Sequence, residues 1–479
     1  MDERLKDNMR FLCDESRMLT GVTVAYGTPV HSEWTQYGRA QELTRTESGF
    51  LPAVRPLQPD TIYDLASLTK LFTAVVTLAL VESGRLSLDE WVGQIDPRFA
   101  GLRHVTVGDV LGFRVSLQTP GRIDAAPSRE AGLSRLFAMS VCPTPAIRIY
   151  SDMNAMAIKY IIEAKTGMSL FEAIRTWILS PAGMQETFAV VPEALRSRCV
   201  CYNYEHRIEG DNWILRTDVP CGAPHDPKAL LLSDGGRDLC GHAGLFSTRK
   251  DMVRFAQALL SGELLRPETL CEIGVNRTGF SHGDGTYRQY LGYLCFSKHP
   301  LQRLSEVPHW MGARSIGLSG FTGNHLSLDP DAGRFVLFLG NRCHGRVSHI
   351  VTPEGKDLSA YGLDARGVGL VRWSDGRLVP SSAKFRNNVA RQKLGIAAGN
   401  VYIGIGNMHK PVYYTFEVID QLNFVQQDVV IVAVRHTTFN IRVQLIGILQ
   451  FFVAVVVQRK KHNVVFRYTA RQQMLLEKF

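Results

Sequence analysis

The chain of 479 residues contains no uninterrupted apolar run of the roughly 20 residues that a membrane-spanning helix requires. Its most apolar stretch, Val443–Val457, is 15 residues long, holds Gln444 and Gln450, and is followed by Arg459-Lys460-Lys461. A buried segment is therefore expected there, with membrane association through the C-terminal tail as the lesser alternative. The opening residues MDERLKDNMRFLC lack the 7–15-residue apolar core of a secretory leader. Cysteine is sparse and unpatterned. Nine residues at 13, 142, 199, 201, 221, 240, 271, 295 and 343 form an odd set without a Cys-x-x-Cys pair. That argues against a disulfide framework and against a zinc ribbon. These absences together point to a reducing, cytoplasmic setting.

The body of the chain also lacks a charge excess. The net charge is +9, and residues 381–479 account for all of it, with 13 Lys and Arg against four Asp and Glu. A neutral body of 380 residues is not the electrostatic footprint of a nucleic-acid binder. The basic cluster Arg459-Lys460-Lys461-His462 reads as a solvated face of the tail rather than a nucleic-acid patch.

What is present is a succession of recognisable elements. Gly21–Gly27 alternates, meets Thr28-Pro29 and resumes around Trp34 and Tyr37, which predicts a β-hairpin. Ser67–Gly84 is almost wholly apolar and stops at Ser83-Gly84, so it predicts a helix buried nearly all round. Helical segments follow at 152–165, 170–179 and 250–260. Strands are expected at 291–296, 326–328 and 335–339, the last two joined by the turn Asp329-Pro330-Asp331-Ala332-Gly333. The predicted fold class is α+β: an antiparallel sheet flanked by helices, with an inserted all-helical part. Residues 1–75 and 286–380 would supply the sheet part, 76–285 the mainly helical part, and 381–479 a basic tail of unknown fold.

Ser-x-x-Lys places a hydroxyl and an amine on one helical face, and it occurs three times, at Ser67/Lys70, Ser247/Lys250 and Ser381/Lys384. Context separates them. Ser67 opens the buried helix, and burial is expected to lower the proton affinity of Lys70 so that a neutral amine can take the Ser67 proton. A helix N-terminus offers N–H groups to an oxyanion formed at Ser67. Ser247 precedes the polar run Thr248-Arg249-Lys250-Asp251 and reads as an N-cap in water. Ser381/Lys384 lies in a polar linker. His225-Asp226 and His242 match no zinc spacing and read as structural hydrogen bonding. Gly241–Gly244 lacks the Gly-Lys-Ser/Thr ending of a phosphate loop.

Further segments extend the first pair. Tyr63-Asp64-Leu65-Ala66-Ser67-Leu68-Thr69-Lys70 is followed by Tyr150-Ser151-Asp152-Met153-Asn154, then Pro181–Phe188, Gly241–Thr248, and Leu318-Ser319-Gly320-Phe321. In order and spacing they resemble the motifs of the serine β-lactamase and penicillin-binding protein family, on its class C-like, esterase-like branch. The resemblance covers roughly residues 14–350. It implies Ser67 as nucleophile, with Lys70 and Tyr150 moving protons. Asp152, Ser319, Gly320 and Phe321 would line the substrate and oxyanion site, with the N–H groups of Ser67 and Phe321 as the oxyanion hole. A phenol beside an ammonium can be held as phenolate, which would suit Tyr150 to that role.

The function implied is hydrolysis of an ester, amide or D-amino-acid peptide bond through an acyl-enzyme, on a small-molecule or peptide substrate, with no cofactor and no metal. Two departures stand out. Position 152 is Asp where many β-lactamases have Asn, and position 318 is Leu where Lys or His is usual. Arg314, His325, Arg342 and His344 are the candidates to replace the missing cation. Leu318 keeps open the alternative of a penicillin-recognising binding protein or a pseudoenzyme.

Overall fold

The computed structural model describes residues 3–351 apart from 16–18, 48, 144–148, 210–211, 234–237 and 302–303, together with short strands at 371–374, 377–380, 429–434, 441–446, 453–460 and 463–470. The side chains of Val443–Val457 and the pair Ser381/Lys384 lie outside the described residues. No described helix is long and apolar enough to cross a membrane.

A seven-stranded sheet organises the body. Its strands in chain order are β1 (Gly21–Gly27), β2 (Ser32–Thr46), β3 (Gly49–Pro56), β4 (Phe296–Ser297), β5 (Ile316–Ser319), β6 (His325–Asp329) and β7 (Arg334–Gly340). Their order across the sheet is β4-β5-β6-β7-β1-β2-β3, and every neighbour runs antiparallel. The seam is β1 against β7, with Val24 opposite Phe338 and Tyr26 opposite Val336. It joins two hairpins that are some 300 residues apart in sequence.

The two-residue period of a strand sends alternate side chains to opposite faces, and both faces here are apolar. Val22, Val24, Tyr26, Val336 and Phe338 point to a core shared with Leu5 and Met9 of helix α1 (Glu3–Arg10) and with Leu12. Ala25, Phe335, Leu337 and Leu339 point the other way, into the main core. That core is built on helices α2 (Thr69–Glu82), α3 (Asp152–Thr166) and α4 (Arg249–Leu260). In α2 the twelve residues Thr69–Leu80 are all buried, Lys70 among them. Phe72 of α2 stacks on Phe255 of α4, with ring centroids 4.2 Å apart.

Two small sheets set up the site. Ile62–Asp64 pairs with Phe246–Thr248, which also pairs with Thr187–Phe188, and this delivers the chain to Ser67. The strand His206–Glu209 lies between Asn212–Leu215 and Val347–Val351 and carries Arg207 toward the same region. Ser247 belongs to the first of these sheets. It is buried and hydrogen-bonded to Thr187 Oγ1 at 2.8 Å, whereas the N-cap of α4 is Thr248, which accepts from the Asp251 N–H. The expected water-exposed cap at Ser247 is thus corrected: strand pairing takes this serine into the core and moves the cap one residue on.

Candidate active site

Ser67 lies in a 3-10 turn, Ala66–Leu68, that runs directly into α2. The residue before it, Ala66, has φ +46°, a left-handed conformation that costs an alanine about 1–2 kcal/mol. Asp64 holds this turn in place. Its carboxylate accepts from the Ala66 N–H at 2.8 Å and from the His225 N–H at 2.7 Å. Its carbonyl accepts from Asn324 Nδ2 at 2.6 Å and Thr322 Oγ1 at 3.0 Å. One residue therefore ties the Ser67 turn to the loop after β5 and to the His225 segment. Burial raises the Asp64 carboxyl above its ordinary value in spite of the two N–H donors.

Lys70 stands one turn into α2, where its ammonium donates to Ser67 Oγ at 2.9 Å and to the His242 carbonyl at 3.3 Å. It also meets Asp152 Oδ1 at 2.7 Å. Burial alone would lower its proton affinity. The Asp152 carboxylate, aided by the hydrogen bond with Tyr150, outweighs that, and Lys70 sits above its ordinary value. The expectation of a neutral amine is corrected on this point: a carboxylate in contact defeats desolvation, and Lys70 rests as an ammonium.

Tyr150 is fixed from both ends. The backbone N–H groups of Ile149 and Tyr150 both donate to Gln289 Oε1 at 2.8 Å, and the ring stacks on Phe296 with centroids 4.9 Å apart. Lys70 Nζ lies 5.0 Å from the ring centroid, and the hydroxyl interacts with Ser67 and Lys70. Burial raises the phenol above its ordinary value despite the Lys70 charge. The expected resting phenolate is thus a resting phenol.

Asp152 is the first residue of α3, and Ser151 is the cap, accepting from the Met153 N–H at 3.2 Å. This frees the Asp152 carboxylate to bridge two lysines, Lys70 at 2.7 Å and Lys228 at 3.0 Å. Lys228 also meets Asp226 Oδ2 at 3.3 Å, and Asp226 Oδ1 meets His242 Nε2 at 2.9 Å. Burial opposes ionisation of Asp152, but the two lysines hold it below the usual carboxylate range.

Ser67, Tyr150, Asp152 and Phe321 line one cavity of about 440 Å³, with Ala66, Arg122, Asp124, Ser151, Arg207, His225, Asp226, Pro227, Lys228, Ala243 and His349. Ser319 and Gly320 do not line it. The Ser319 hydroxyl is engaged by His325 Nδ1 at 2.5 Å. Gly320 packs on the Ser67 turn so closely that a Cβ would lie 2.8 Å from the Leu65 carbonyl oxygen and 3.3 Å from Ala66 Cβ. Gly241, at φ +81°, passes α3 in the same way, where a Cβ would meet the Ala155 oxygen at 2.5 Å.

Leu318 is fully buried, and none of the four proposed replacement cations lines the cavity. Arg314 pairs with Asp331. His325 bonds Ser319 and Ser327. Arg342 donates to the Ser348 carbonyl and covers the Phe321 ring. His344 is buried against the Asn203 carbonyl. The lysine and arginine side chains that reach the cavity come from elsewhere, in Lys228, Arg122 and Arg207. Sequence reasoning missed them and Asp64. Only Asp226-Pro227 carried a local signal, that of a cap followed by proline at a helix start, and Asp226 does cap Pro227–Leu232.

Among the described residues, two clusters offer three ligand-type atoms within 4.8 Å of one another, Glu205/His225/Cys343 and Asp152/Asp226/His242. Protein cations already neutralise both. Arg207 and Arg216 reach Glu205 at 3.3 and 3.4 Å, and Lys70 and Lys228 reach Asp152.

The model of a family described as Beta-lactamase matches residues 26–360. A protein of Salmonella enteritidis PT4 called a putative D-alanyl-D-alanine carboxypeptidase is 28% identical over 320 residues, covering 60% of this chain and 71% of its own. A novel penicillin-binding protein homolog from Caulobacter crescentus superposes with a TM-score of 0.55 at 20% identity, over 73% of this chain and 93% of its own. A class C beta lactamase from Rhodobacter sphaeroides superposes with a TM-score of 0.51 at 17% identity, over 83% and 99%. The architecture is that of the β-lactamase and transpeptidase-like fold.

Proposed function

Because the chain belongs to the beta-lactamase family, we propose that it is a serine hydrolase working through an acyl-enzyme on Ser67. The observation that carries this is the 2.9 Å contact of Lys70 Nζ with Ser67 Oγ at a cavity wall that also holds Tyr150. A cavity of about 440 Å³ suits a small molecule or a peptide end.

In the first half-reaction Ser67 Oγ attacks the substrate carbonyl carbon. The hydroxyl proton passes to the Lys70–Tyr150 pair after that pair has lost one proton to solvent. The oxyanion forms against the N–H groups of Ser67 and Phe321, donors aimed at developing charge. Collapse breaks the bond to the leaving group, which departs with the proton held by the pair. Water then repeats the sequence on the acyl-enzyme, releasing the acid and restoring Ser67. The substrate class is an ester, amide or D-amino-acid peptide, and the names of the relatives favour the last.

A panel of a nitrophenyl ester, a chromogenic cephalosporin and a peptide ending in D-Ala-D-Ala tests this. At least one should turn over, and Ser67→Ala should lose that turnover by about 10⁴-fold or more, the scale of losing a nucleophile. A Ser67→Ala protein as active as wild type would overturn the assignment. Stoichiometric acylation without release would support the penicillin-binding alternative.

A further inference from the structure

Asp152 poses an electrostatic difficulty for the chemistry above. A carboxylate 2.7 Å from a fully buried ammonium stabilises the charged form of Lys70, the opposite of what a proton acceptor needs. Lys228 lies on the other side of the same carboxylate. It reaches Asp152 Oδ2 at 3.0 Å from the helix Pro227–Leu232, and its own side chain is 21% exposed at the cavity wall. Asp226 holds it at 3.3 Å, and His242 holds Asp226 at 2.9 Å while giving its backbone carbonyl to Lys70 at 3.3 Å. The five residues close a ring, Lys70–Asp152–Lys228–Asp226–His242–Lys70. A second lysine in a ring that touches the nucleophile's partner needs a reason, because a well-packed apolar residue would avoid the partial desolvation of another charge.

We propose that Lys228 is a positioning residue that shares the Asp152 carboxylate with Lys70 and thereby keeps Lys70 able to give up its proton. This rests on the reading of Ser67 and Lys70 above and adds a residue acting through Asp152 rather than on substrate. The charged and titratable groups facing this pair of lysines are Tyr150, Asp152, Asp226, His242 and Asp124. Removing the Lys228 charge leaves Asp152 and Asp226 acting on Lys70 with less opposition, so Lys70 should hold its proton to higher pH. Leu318 is consistent with this arrangement: the strand on the far side of the cleft supplies no cation, and Lys228 supplies one beside Asp152.

The test is titration of Lys70 by NMR in full-length protein carrying ¹³Cε-lysine, with Lys70→Arg to assign the resonance. Wild type is compared with Lys228→Met, Lys228→Gln and Lys228→Arg. The two neutral variants should raise the Lys70 midpoint by about one pH unit or more, the scale of removing a nearby like charge, and Lys228→Arg should restore it. The alkaline rise of Ser67 labelling by a fluorophosphonate should move with it. Unchanged or lowered midpoints in the neutral variants, or an Arg variant displaced as far as Met, would overturn the proposal. If Met does not fold, Gln serves in its place, being polar and of similar reach. The two claims fail separately. A shifted Lys70 titration with no labelling of Ser67 sinks the hydrolase assignment alone, and normal labelling with an unmoved titration sinks the role of Lys228 alone.

Discussion

At the scale of single residues, the site is governed by competition between burial and contact charge. Lys70 is fully buried, and burial by itself would favour a neutral amine. Asp152 at 2.7 Å reverses that balance. The consequence for pH dependence follows directly. A group whose proton affinity is raised is charged across neutral pH, and the active form appears only as pH climbs. Asp152→Asn removes the carboxylate and leaves Lys228 repelling Lys70, and both changes lower the affinity of Lys70 for its proton. Acylation of Asp152→Asn should therefore begin its alkaline rise about one unit or more below wild type. Stopped-flow acylation rates across pH check this, and a rise displaced to higher pH would contradict it. The residues that could be named from sequence are those that stand together in short motifs. Ser67 and Lys70 are one helical turn apart, and Tyr150 and Asp152 stand in one motif. Lys228 could not be foreseen in its role, since it stands in no motif and only tertiary packing brings it to Asp152. None of the four candidates to replace the cation missing at 318, Arg314, His325, Arg342 and His344, lines the cavity: nearness to 318 in sequence did not put a side chain there.

At the scale of elements, the geometry at Ser67 depends on a turn, a strand end and a helix start meeting with no slack. The helical character of 69–82 and the hairpin at 325–340 were legible from apolar run length and from a Pro/Gly-rich turn. The close approach of Gly320 was not, because it expresses a contact with Leu65 more than 250 residues away, and neither was the strain at Ala66, in a turn that Asp64 ties to distant segments. Gly320 is the sensitive point. Its missing Cβ leaves room for the Leu65 carbonyl at 2.8 Å, and backbone does not yield as a flexible side chain does. Gly320→Ala should leave far-UV circular dichroism unchanged while lowering kcat/KM on whichever panel substrate turns over by about 100-fold, the cost of misplacing reacting groups by roughly 1 Å. Wild-type kcat/KM in this variant would mean that the strand end does not set the position of Ser67.

At the scale of the whole molecule, the charge clusters flanking the cavity make stability depend on pH. Glu205 is fully buried and meets His225 Nε2 at 2.8 Å, with Ser348, Arg207 and Arg216 also upon it. Burial disfavours the charged form of both partners, yet Cys343 and Glu205 hold His225 up at about 10, and His225 and the arginines hold Glu205 well below its ordinary value. The His225 contribution is complete below its ordinary 6.5 and fades as pH rises toward 10. The Glu205 contribution is complete above its ordinary 4.5 and fades as pH falls. Breaking a buried pair by removing one partner costs about 3–5 kcal/mol. The stability difference between wild type and Glu205→Gln, measured by urea unfolding, should therefore be largest between pH 4.5 and 6.5 and shrink on both sides. A difference that is flat with pH would refute the pairing. This buried cluster was invisible in the sequence, where Glu205, His225 and Cys343 carry no shared spacing.

The central claim is that Ser67 carries the acyl group, and the direct measurement is tandem mass spectrometry of the intact chain quenched during turnover or after exposure to a β-lactam or a fluorophosphonate. A mass increase equal to the acyl or phosphonyl group should map to the peptide holding Ser67 and be absent from Ser67→Ala. An adduct on any other residue, or turnover that persists in Ser67→Ala with no adduct at all, would contradict the account.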